Sequence, residues 1–465
     1  MSDPLLPVEP RPASQRRGPA PPINVLLVGG AGREHALAAR LVESPRLAKL
    51  WITHPQNPGL ASMGDPIGVP ATLRESDRLA WACDQADISL VVIGPETPLV
   101  EGLGDRLASP KRAVFGPGRD AARLEGDKAW AKQLMRAAAI PTAESRTFDR
   151  FETAREYVLS REQVPVIKAC GLAAGKGVFV CQTHDEAIEA IERLLIGRSL
   201  GDAGARVLVE ERLVGPEVSV LAVVDGRSIY VLPPCQDHKR LGDGDTGPNT
   251  GGMGAICPAP IVDDAMMGRI ETEILLPTID ALRREGIEYR GVLYAGLILT
   301  HAGPKVLEYN VRFGDPECQA LMARFRGDLV DLLDKAARAR LENASLDWDP
   351  RSACCIVLAS EGYPGTPRTG DPITGLDRAA SIQGVRIDHA GTAAGPDGDS
   401  IVTAGGRVLS VTALGETLDD ARNRAQTACD AIHFRAMQRR HDIGLGAESQ
   451  RPGVSPTAGR SPANS

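Results

Sequence analysis

Apolar positions along the chain fall into short runs that close on glycine or proline. Residues 23–28 (INVLLV) run into Gly29 and Gly30, and the following GREHALAARLV places Ala36, Leu37, Leu41 and Val42 at helical spacing. A continuous apolar run feeding an amphipathic stretch reads as a buried parallel strand followed by its helix. KLWITH, ISLVVIGPE and AVFGP repeat the short run, with helical stretches between them. Residues 23–122 therefore predict an open, doubly wound parallel α/β sheet. Helical spacing continues from Asp120 to Ala139 and is broken at Ile140-Pro141. Between Thr147 and Arg212, VPVIKA, GVFVC and RVLVEE alternate with helices, which predicts a compact α+β unit around a glycine-rich loop. Longer strands follow (VSVLAVVDG, GVLYAGLIL, KVLEYNVRFG), interrupted by helices near 264–285 and 315–340. From about Ser352 the runs ACCIVLAS and GRVLSVTALG predict a β-rich C-terminal domain. Its helix starts at Thr417, spaced with Asp420 as a capping box.

The pattern predicts an α/β and α+β multidomain chain: an N-terminal domain at 23–122, a central domain at 123–349 with a small unit at about 145–212, and a C-terminal domain at 350–445. Residues 1–22, rich in Pro and Arg, and the Gly/Ser/Pro/Ala tail at 446–465 read as disordered extensions.

Composition narrows the function. With 43% hydrophobic and 24% charged residues the chain reads as soluble and globular, and a net charge of −7 argues against a nucleic-acid-binding surface. No run approaches a membrane span, and Arg16-Arg17 is followed by a strand rather than a signal's apolar core, so a cytoplasmic location is expected. Cys83, Cys170, Cys181, Cys235, Cys257, Cys318, Cys354, Cys355 and Cys429 are scattered with no C-x-x-C pair, as expected of buried free thiols.

Gly30-Ala31-Gly32-Arg33-Glu34-His35 begins like a dinucleotide fingerprint, but the third glycine is His35, and the second strand ends in ITHPQN without an acid. Both requirements of a nicotinamide site fail. A glycine turn at a helix N-terminus with Arg33 and His35 suits a single phosphate instead. Asn57, Gly59 and Glu96 lie at the carboxyl ends of neighbouring strands, where an open sheet binds its ligands.

VIKACGLAAGKGVFV reads strand, glycine-rich turn, strand, without Walker spacing. Such a hairpin closes over a triphosphate with backbone N–H groups, with Lys168 and Lys176 as point charges, Lys128 as a third, and Glu210 and Glu211 as acceptors for adenine and ribose. In KVLEYNVRFGDPE, strict alternation puts Glu308, Asn310 and Arg312 on one strand face. A carboxylate and an amide oxygen two residues apart suit Mg²⁺ completed by phosphate and water, and Arg312 suits a carboxylate or phosphate.

These stretches, together with IGPETPL, LEGDKAWAK, QDHKR, GDGDTGPNTGGMGA, GYPG, HAGT and GGRVL, resemble the phosphoribosylamine–glycine ligase (glycinamide ribonucleotide synthetase) family of the ATP-grasp superfamily over roughly residues 23–444. The resemblance implies a pre-ATP-grasp N-terminal domain, an ATP-grasp core with a lid, and a C-terminal domain. It implies a carbon–nitrogen ligase of purine biosynthesis acting on ATP, glycine and 5-phosphoribosylamine, with Mg²⁺ or Mn²⁺. It places Glu308 and Asn310 on the metal. Lys128, Lys168, Gly175, Lys176, Gly177, Glu210, Glu211 and Glu217 fall in the nucleotide site. Lys239, Arg240 and Arg312 fall on the transferring phosphoryl. Gly32, Arg33, Glu34, Asn57 and Glu96 fall toward the phosphoribosyl end. His238, Lys239 and Arg240 are expected to face phosphate, Asp243 and Asp245 to hold either a substrate ammonium or that basic triplet, and Gly251 and Gly252 to let the backbone approach a small substrate. No membrane or nucleic-acid partner is implied, and a monomer or small homo-oligomer is expected. Cys170 stands where the family usually has Asp, Ala31 replaces a glycine, and Gln56 and Pro58 replace small residues. Against a biotin-dependent carboxylase, GVLYAGLIL carries no second metal-binding carboxylate and no biotinyl domain is present.

Overall fold

The computed structural model describes residues 21–173 and 175–447. The two proposed disordered extensions, apart from residues 21–22 and 446–447, lie outside the described residues.

The apolar run at the start of the chain forms the centre of a five-stranded parallel sheet, ordered Asp65–Pro66, Leu47–Ile52, Ile23–Val28, Ile88–Ile93, Ala113–Phe115. Val25 to Val28 are at most 1% exposed because helices cover both faces. The order reverses between Ile23–Val28 and Ile88–Ile93, which opens a crevice beyond their carboxyl ends, between Gly29–Gly32 and Gly94–Glu96. Glu34 fills the floor of that crevice: a Cβ on Gly94 would run into its carboxylate, so this position admits only glycine.

The helical stretch from Asp120 to Ala139, one run by spacing, is two helices, Arg119–Gly126 and Lys128–Ala137. Asp127 breaks it: at φ −139° and ψ 91° it leaves the helical region, and its carboxylate caps the N–H groups of Ala129 and Trp130.

The core of the molecule is a four-stranded antiparallel sheet, Ile229–Val231, Glu217–Asp225, Arg290–Thr300, Gly303–Asn310. A smaller antiparallel sheet, Ser145–Phe148, Val207–Glu210, Val166–Ala169, Val178–Val180, carries helices Phe151–Leu159 and His184–Leu195. It has an apolar core of its own, with Val158, Ile167, Ile191, Leu194 and Val209 at its centre.

A third antiparallel sheet is ordered Gln236–Asp237, Gly254–Cys257, Ser352–Ala359, Arg407–Gly415, Val385–His389, and helix Leu418–Ala431 packs on it behind the Thr417 capping box. Its first two strands come from residues 236–257, inside the segment that the hydrophobic pattern assigns to the central domain. The charged glycine loop between those strands thus belongs to both layers. None of the helices among the described residues is long and apolar enough to cross a membrane.

Candidate active site

Strand Gly303–Asn310 sits at the edge of the central sheet with a register slip opposite Gly296/Leu297. Glu308 and Asn310 occupy alternate positions on it; Arg312 lies two residues beyond its end rather than on the strand face expected from alternation. Burial pushes the Glu308 carboxyl up, but the charges of Lys239, Lys128, Lys168 and Arg312 outweigh that and hold it below the usual carboxylate range. Four cations from four separate elements therefore converge on one ionised carboxylate. Lys239 in turn bonds Glu217 at 2.8 Å, and Glu217, Glu308 and Asp237 together raise its pKa against the opposing effect of burial.

Arg312 is bracketed by Glu125 at 3.0 Å and Glu96 at 3.3 Å, with Asn310 Oδ1 at 3.4 Å. Glu125 also accepts the Val311 N–H at 2.8 Å, which locks the chain just past the strand. In the adjoining crevice Arg33 Nε bonds Glu34 at 2.6 Å, and Glu34 accepts the Ala31 N–H at 2.8 Å. Gly32 is buried with Arg33 and Glu34, which are 5% and 0% exposed, so half-buried Glu96 is the open part of this predicted subsite. Asn57 is fully committed. Its Oδ1 caps Gly59 and Leu60 while its Nδ2 donates to the Gly30, His389 and Ala390 carbonyls. With its side-chain hydrogen-bonding positions used, Asn57 clasps the first loop to the C-terminal domain.

On the lid side, Lys168 Nζ lies 3.0 Å from Glu210 and 3.1 Å from the Leu307 carbonyl. Glu210, 2% exposed, also binds Lys132 at 3.0 Å, so it bridges two lysines within the fold. Burial pushes Lys132 down to about 8, with Glu210 opposing. Exposed Glu211 accepts the Glu144 N–H at 3.2 Å. Among the described residues, Lys128 Nζ reaches the Gly171 carbonyl, at 3.5 Å. Gly175, at φ +77°, and exposed Lys176 form the turn of the hairpin, and the Gly177 carbonyl closes it by accepting Ala169 N–H. Cys170 packs with Ala129 and Leu208 at its base, and burial raises its thiol to about 11.

The loop between Gln236 and Cys257 divides into two parts. Its tip does not face the site. Asp243 holds the His441 N–H at 2.7 Å and its ring at 3.0 Å, Asp245 binds Arg440 at 2.6 Å, and Asp442 accepts Gly244 N–H at 2.8 Å. Both aspartates are thus engaged by the C-terminal segment, neither by Lys239–Arg240 nor free for an ammonium. Arg240 donates to Gly247 O in its own hairpin at 2.7 Å. His238 Nε2 accepts Gly444 N–H at 3.3 Å, and burial with the neighbouring Arg440 charge lowers its pKa to about 4. Of the basic triplet, only Lys239 points to Glu308.

The loop's base does face the site. Asp237 has a buried oxygen, Oδ1, with no hydrogen-bond partner among the described residues. Burial and Glu317 push its carboxyl well above the usual range, while Lys239 and Arg407 draw it down. Glu317 accepts from Tyr294 at 2.5 Å and Ser219 at 3.0 Å. Gly252, at φ +112°, sits against Asp237, and a Cβ there would lie 2.8 Å from Oδ1 and 2.6 Å from Pro316. Gly251 is pinned by Tyr363 at 2.9 Å and Arg407 at 2.7 Å, and Arg407 also pairs with Asp315 at 3.4 Å. Glu125, Lys132, Asp237, Asp315, Glu317 and Arg407 were not singled out by sequence reasoning. All six nonetheless lie inside quoted motifs: Glu125 and Lys132 in LEGDKAWAK, Asp237 in QDHKR, Asp315 and Glu317 in KVLEYNVRFGDPE, and Arg407 in GGRVL.

Among the described residues no group of three or more His, Cys, Asp or Glu could hold a metal alone. Glu308 and Asn310 offer two oxygen donors, one ionised, which fits a hard divalent cation that takes its remaining ligands from phosphate and water.

Comparison with known proteins matches this arrangement over nearly the whole chain. Family models described as phosphoribosylglycinamide synthetase match in sequence: the N domain over residues 23–125, the ATP-grasp (A) domain over 126–318 and the C domain over 353–446. Phosphoribosylamine–glycine ligases of Rhodopirellula baltica and Vibrio cholerae are 46% and 44% identical, covering 90% and 91% of this chain and 97% and 98% of their own. The crystal structure of the phosphoribosylamine–glycine ligase of Thermotoga maritima superposes with a TM-score of 0.78 at 34% identity, over 90% of this chain and all of that one. The biotin carboxylase domain of a Hydrogenobacter thermophilus 2-oxoglutarate carboxylase shares the fold alone, with a TM-score of 0.68 at 16% identity over 92% of this chain and 93% of its own. A carboxylate strand ringed by cations, a small lid sheet and an open parallel sheet are thus the parts of an ATP-grasp ligase, and the chain belongs to the phosphoribosylamine–glycine ligase family.

Proposed function

We propose that this chain joins glycine to 5-phosphoribosylamine at the expense of ATP, through glycyl phosphate, giving N1-(5-phosphoribosyl)glycinamide, ADP and phosphate in purine biosynthesis. The observation that carries the reading is the ionised Glu308 among Lys239, Lys128, Lys168 and Arg312. A carboxylate resists attack by an amine because the group expelled would be oxide. Phosphoryl transfer converts that oxygen into a phosphate leaving group, so catalysis reduces to positioning and charge neutralisation. Lys128 and Lys168 neutralise the nucleotide phosphates, and the 168–178 hairpin, with Gly175, Lys176 and Gly177, covers them. Lys239, oriented by Glu217, and Arg312, oriented by Glu125 and Glu96, hold the oxygens of the group in flight. Mg²⁺ or Mn²⁺, bound by Glu308 and Asn310, supplies further neutralisation of the phosphate oxygens.

The glycine ammonium pairs with Asp237. Its buried oxygen has no hydrogen-bond partner among the described residues, and Gly252, lacking a Cβ, packs directly against it. The phosphoribosyl end lies along the crevice at Glu96, held in shape by Gly32, Arg33, Glu34 and Asn57. ADP release measured with glycine or phosphoribosylamine omitted in turn tests the reading. Release that depends on both supports it, and release indifferent to glycine overturns it.

A further inference from the structure

The charged loop begins and ends on a pair of cysteines, Cys235 and Cys257, neither with any solvent exposure. Gln236 pairs with Ile256 and Asp237 with Ala255 across the antiparallel ladder, which sets Cys235 opposite Cys257 one step further back. Cys235 exchanges both its backbone hydrogen bonds with Ser219 on the other side, at 2.8 Å each, so its N–H and C=O point away from Cys257. The two cysteines are therefore a non-hydrogen-bonded pair, the ladder position where facing side chains approach most closely. Facing Cβ atoms lie about 4.5–5.5 Å apart in such ladders, and a disulfide needs about 3.5–4.5 Å. Closure asks the strands to draw together by about 1 Å.

The chemistry of the pair is also unlike that of the other thiols. Arg324 Nη1 donates to Cys257 Sγ at 3.2 Å. Burial pushes the Cys257 thiol up, but its hydrogen bond with Cys235 and the Arg324 charge more than offset this, and its pKa falls below the ordinary value. The remaining eight cysteines, Cys235 included, are all pushed up by burial. Of the facing pair, Cys257 is thus the sulfur that loses its proton more readily, and Cys235 is the thiol beside it.

We propose that hydrogen peroxide converts Cys235 and Cys257 reversibly to a disulfide that closes the 236–256 loop at its base and slows the ligase. The Cys257 thiolate attacks one peroxide oxygen; the O–O bond breaks, hydroxide leaves and takes a proton from solvent, and the sulfur carries OH. The Cys235 thiol then attacks that sulfur, the S–S bond forms, and OH leaves with the Cys235 proton as water. Two electrons pass from the sulfurs to peroxide, and two waters result. Peroxide is close to water in size, which suits a pair lying behind a short two-residue edge strand. Closure removes the thiolate partner of Arg324 and shifts Asp237 and Lys239, two and four residues from Cys235.

The test treats the full chain with peroxide, caps remaining thiols with an alkylating reagent, and looks for a Cys235–Cys257 linked peptide by mass spectrometry. Activity is followed before and after dithiothreitol. The linked peptide should appear, with turnover down by as much as about a hundredfold, as a 1 Å displacement at reacting groups can produce, and dithiothreitol should remove the link and restore turnover. Cys235→Ser and Cys235→Ala should each abolish the link and its dithiothreitol-reversible loss of turnover. Cys235 and Cys257 recovered as alkylated thiols after other cysteines have oxidised would overturn the proposal, as would a link without loss of turnover or an equal reversible loss in both variants. The activity arm rests on the proposed ligase reaction, but the peptide mass does not, so the two readings fail separately.

Discussion

At Asp237 the surroundings are half complete: Lys239 and Arg407 stand nearby, yet Oδ1 has no hydrogen-bond partner among the described residues, and Gly252 packs against it without a Cβ. An ammonium there would turn a carboxyl pushed toward neutrality into a paired anion. Asp237→Asn keeps the shape and removes the charge. Hydrogen bonds to charged groups contribute about 1.5–3 kcal/mol, so KM for glycine should rise about ten- to hundredfold while KM for ATP holds. Steady-state kinetics with each substrate varied separates the two; an unchanged glycine KM would remove Asp237 from the ammonium site. His238 gives a second prediction at this scale. Its folded pKa of about 4 lies below the ordinary histidine value of 6.5 because burial and Arg440 disfavour the charged ring. The unfolded chain then binds more protons between those values, so stability falls as pH drops from 6.5 toward 4. His389, also lowered to about 4, chiefly by burial, acts in the same window. Urea midpoints measured across that range should decline, and His238→Asn should shallow the slope; a slope unchanged in the variant would contradict the assignment.

At the scale of elements, the lid is joined to the central sheet through charge as well as backbone. Glu210 at a lid strand end holds Lys132 from helix Lys128–Ala137 and Lys168 from the next lid strand. Removing one member of a buried ion set leaves the others uncompensated, at a cost of about 3–5 kcal/mol. Glu210→Gln should lower the thermal midpoint and raise KM for ATP by freeing Lys168; a midpoint equal to the parent would show that Glu210 is dispensable to the fold. The charged loop is fixed in a different way. Arg440, 2% exposed, binds Asp245, Asp442 and the Arg240 carbonyl, so the C-terminal segment clamps the loop tip. In Arg440→Ala the amides of 240–249 should exchange hydrogen faster and kcat should fall, whereas unchanged exchange would mean the loop holds its own shape.

These elements also show what a sequence discloses. Strand–glycine–helix runs are written locally, so the parallel sheet was legible in INVLLVGG and its repeats. Glu308 and Asn310 were legible because alternation along one strand needs no tertiary information. Asp243 and Asp245 were not, because their partners Arg440 and His441 lie nearly two hundred residues away and charge alone names no partner. Asn57 was read as a ligand since a polar residue at a strand end looks the same whether it binds a substrate or clasps His389. The break at Asp127 was hidden by helical spacing on both sides.

In the whole molecule, the strands of residues 236–257 tie the central and C-terminal layers together, while Asn57 and the His35–Asp388 pair, at 2.9 Å, tie the N-terminal domain to the C-terminal one. All three layers are therefore tied together, and in the proposed function amine, amino acid and nucleotide come from different domains to the Glu308 strand. That convergence is what an acyl-phosphate ligase requires, since the activated glycine must meet the amine before water does. The central claim is that the glycine carboxylate itself is phosphorylated. It is tested by supplying glycine with both carboxylate oxygens as ¹⁸O, together with ATP and phosphoribosylamine, and weighing the inorganic phosphate released. The account predicts phosphate carrying one ¹⁸O for each amide formed; unlabelled phosphate accompanying amide formation would contradict it.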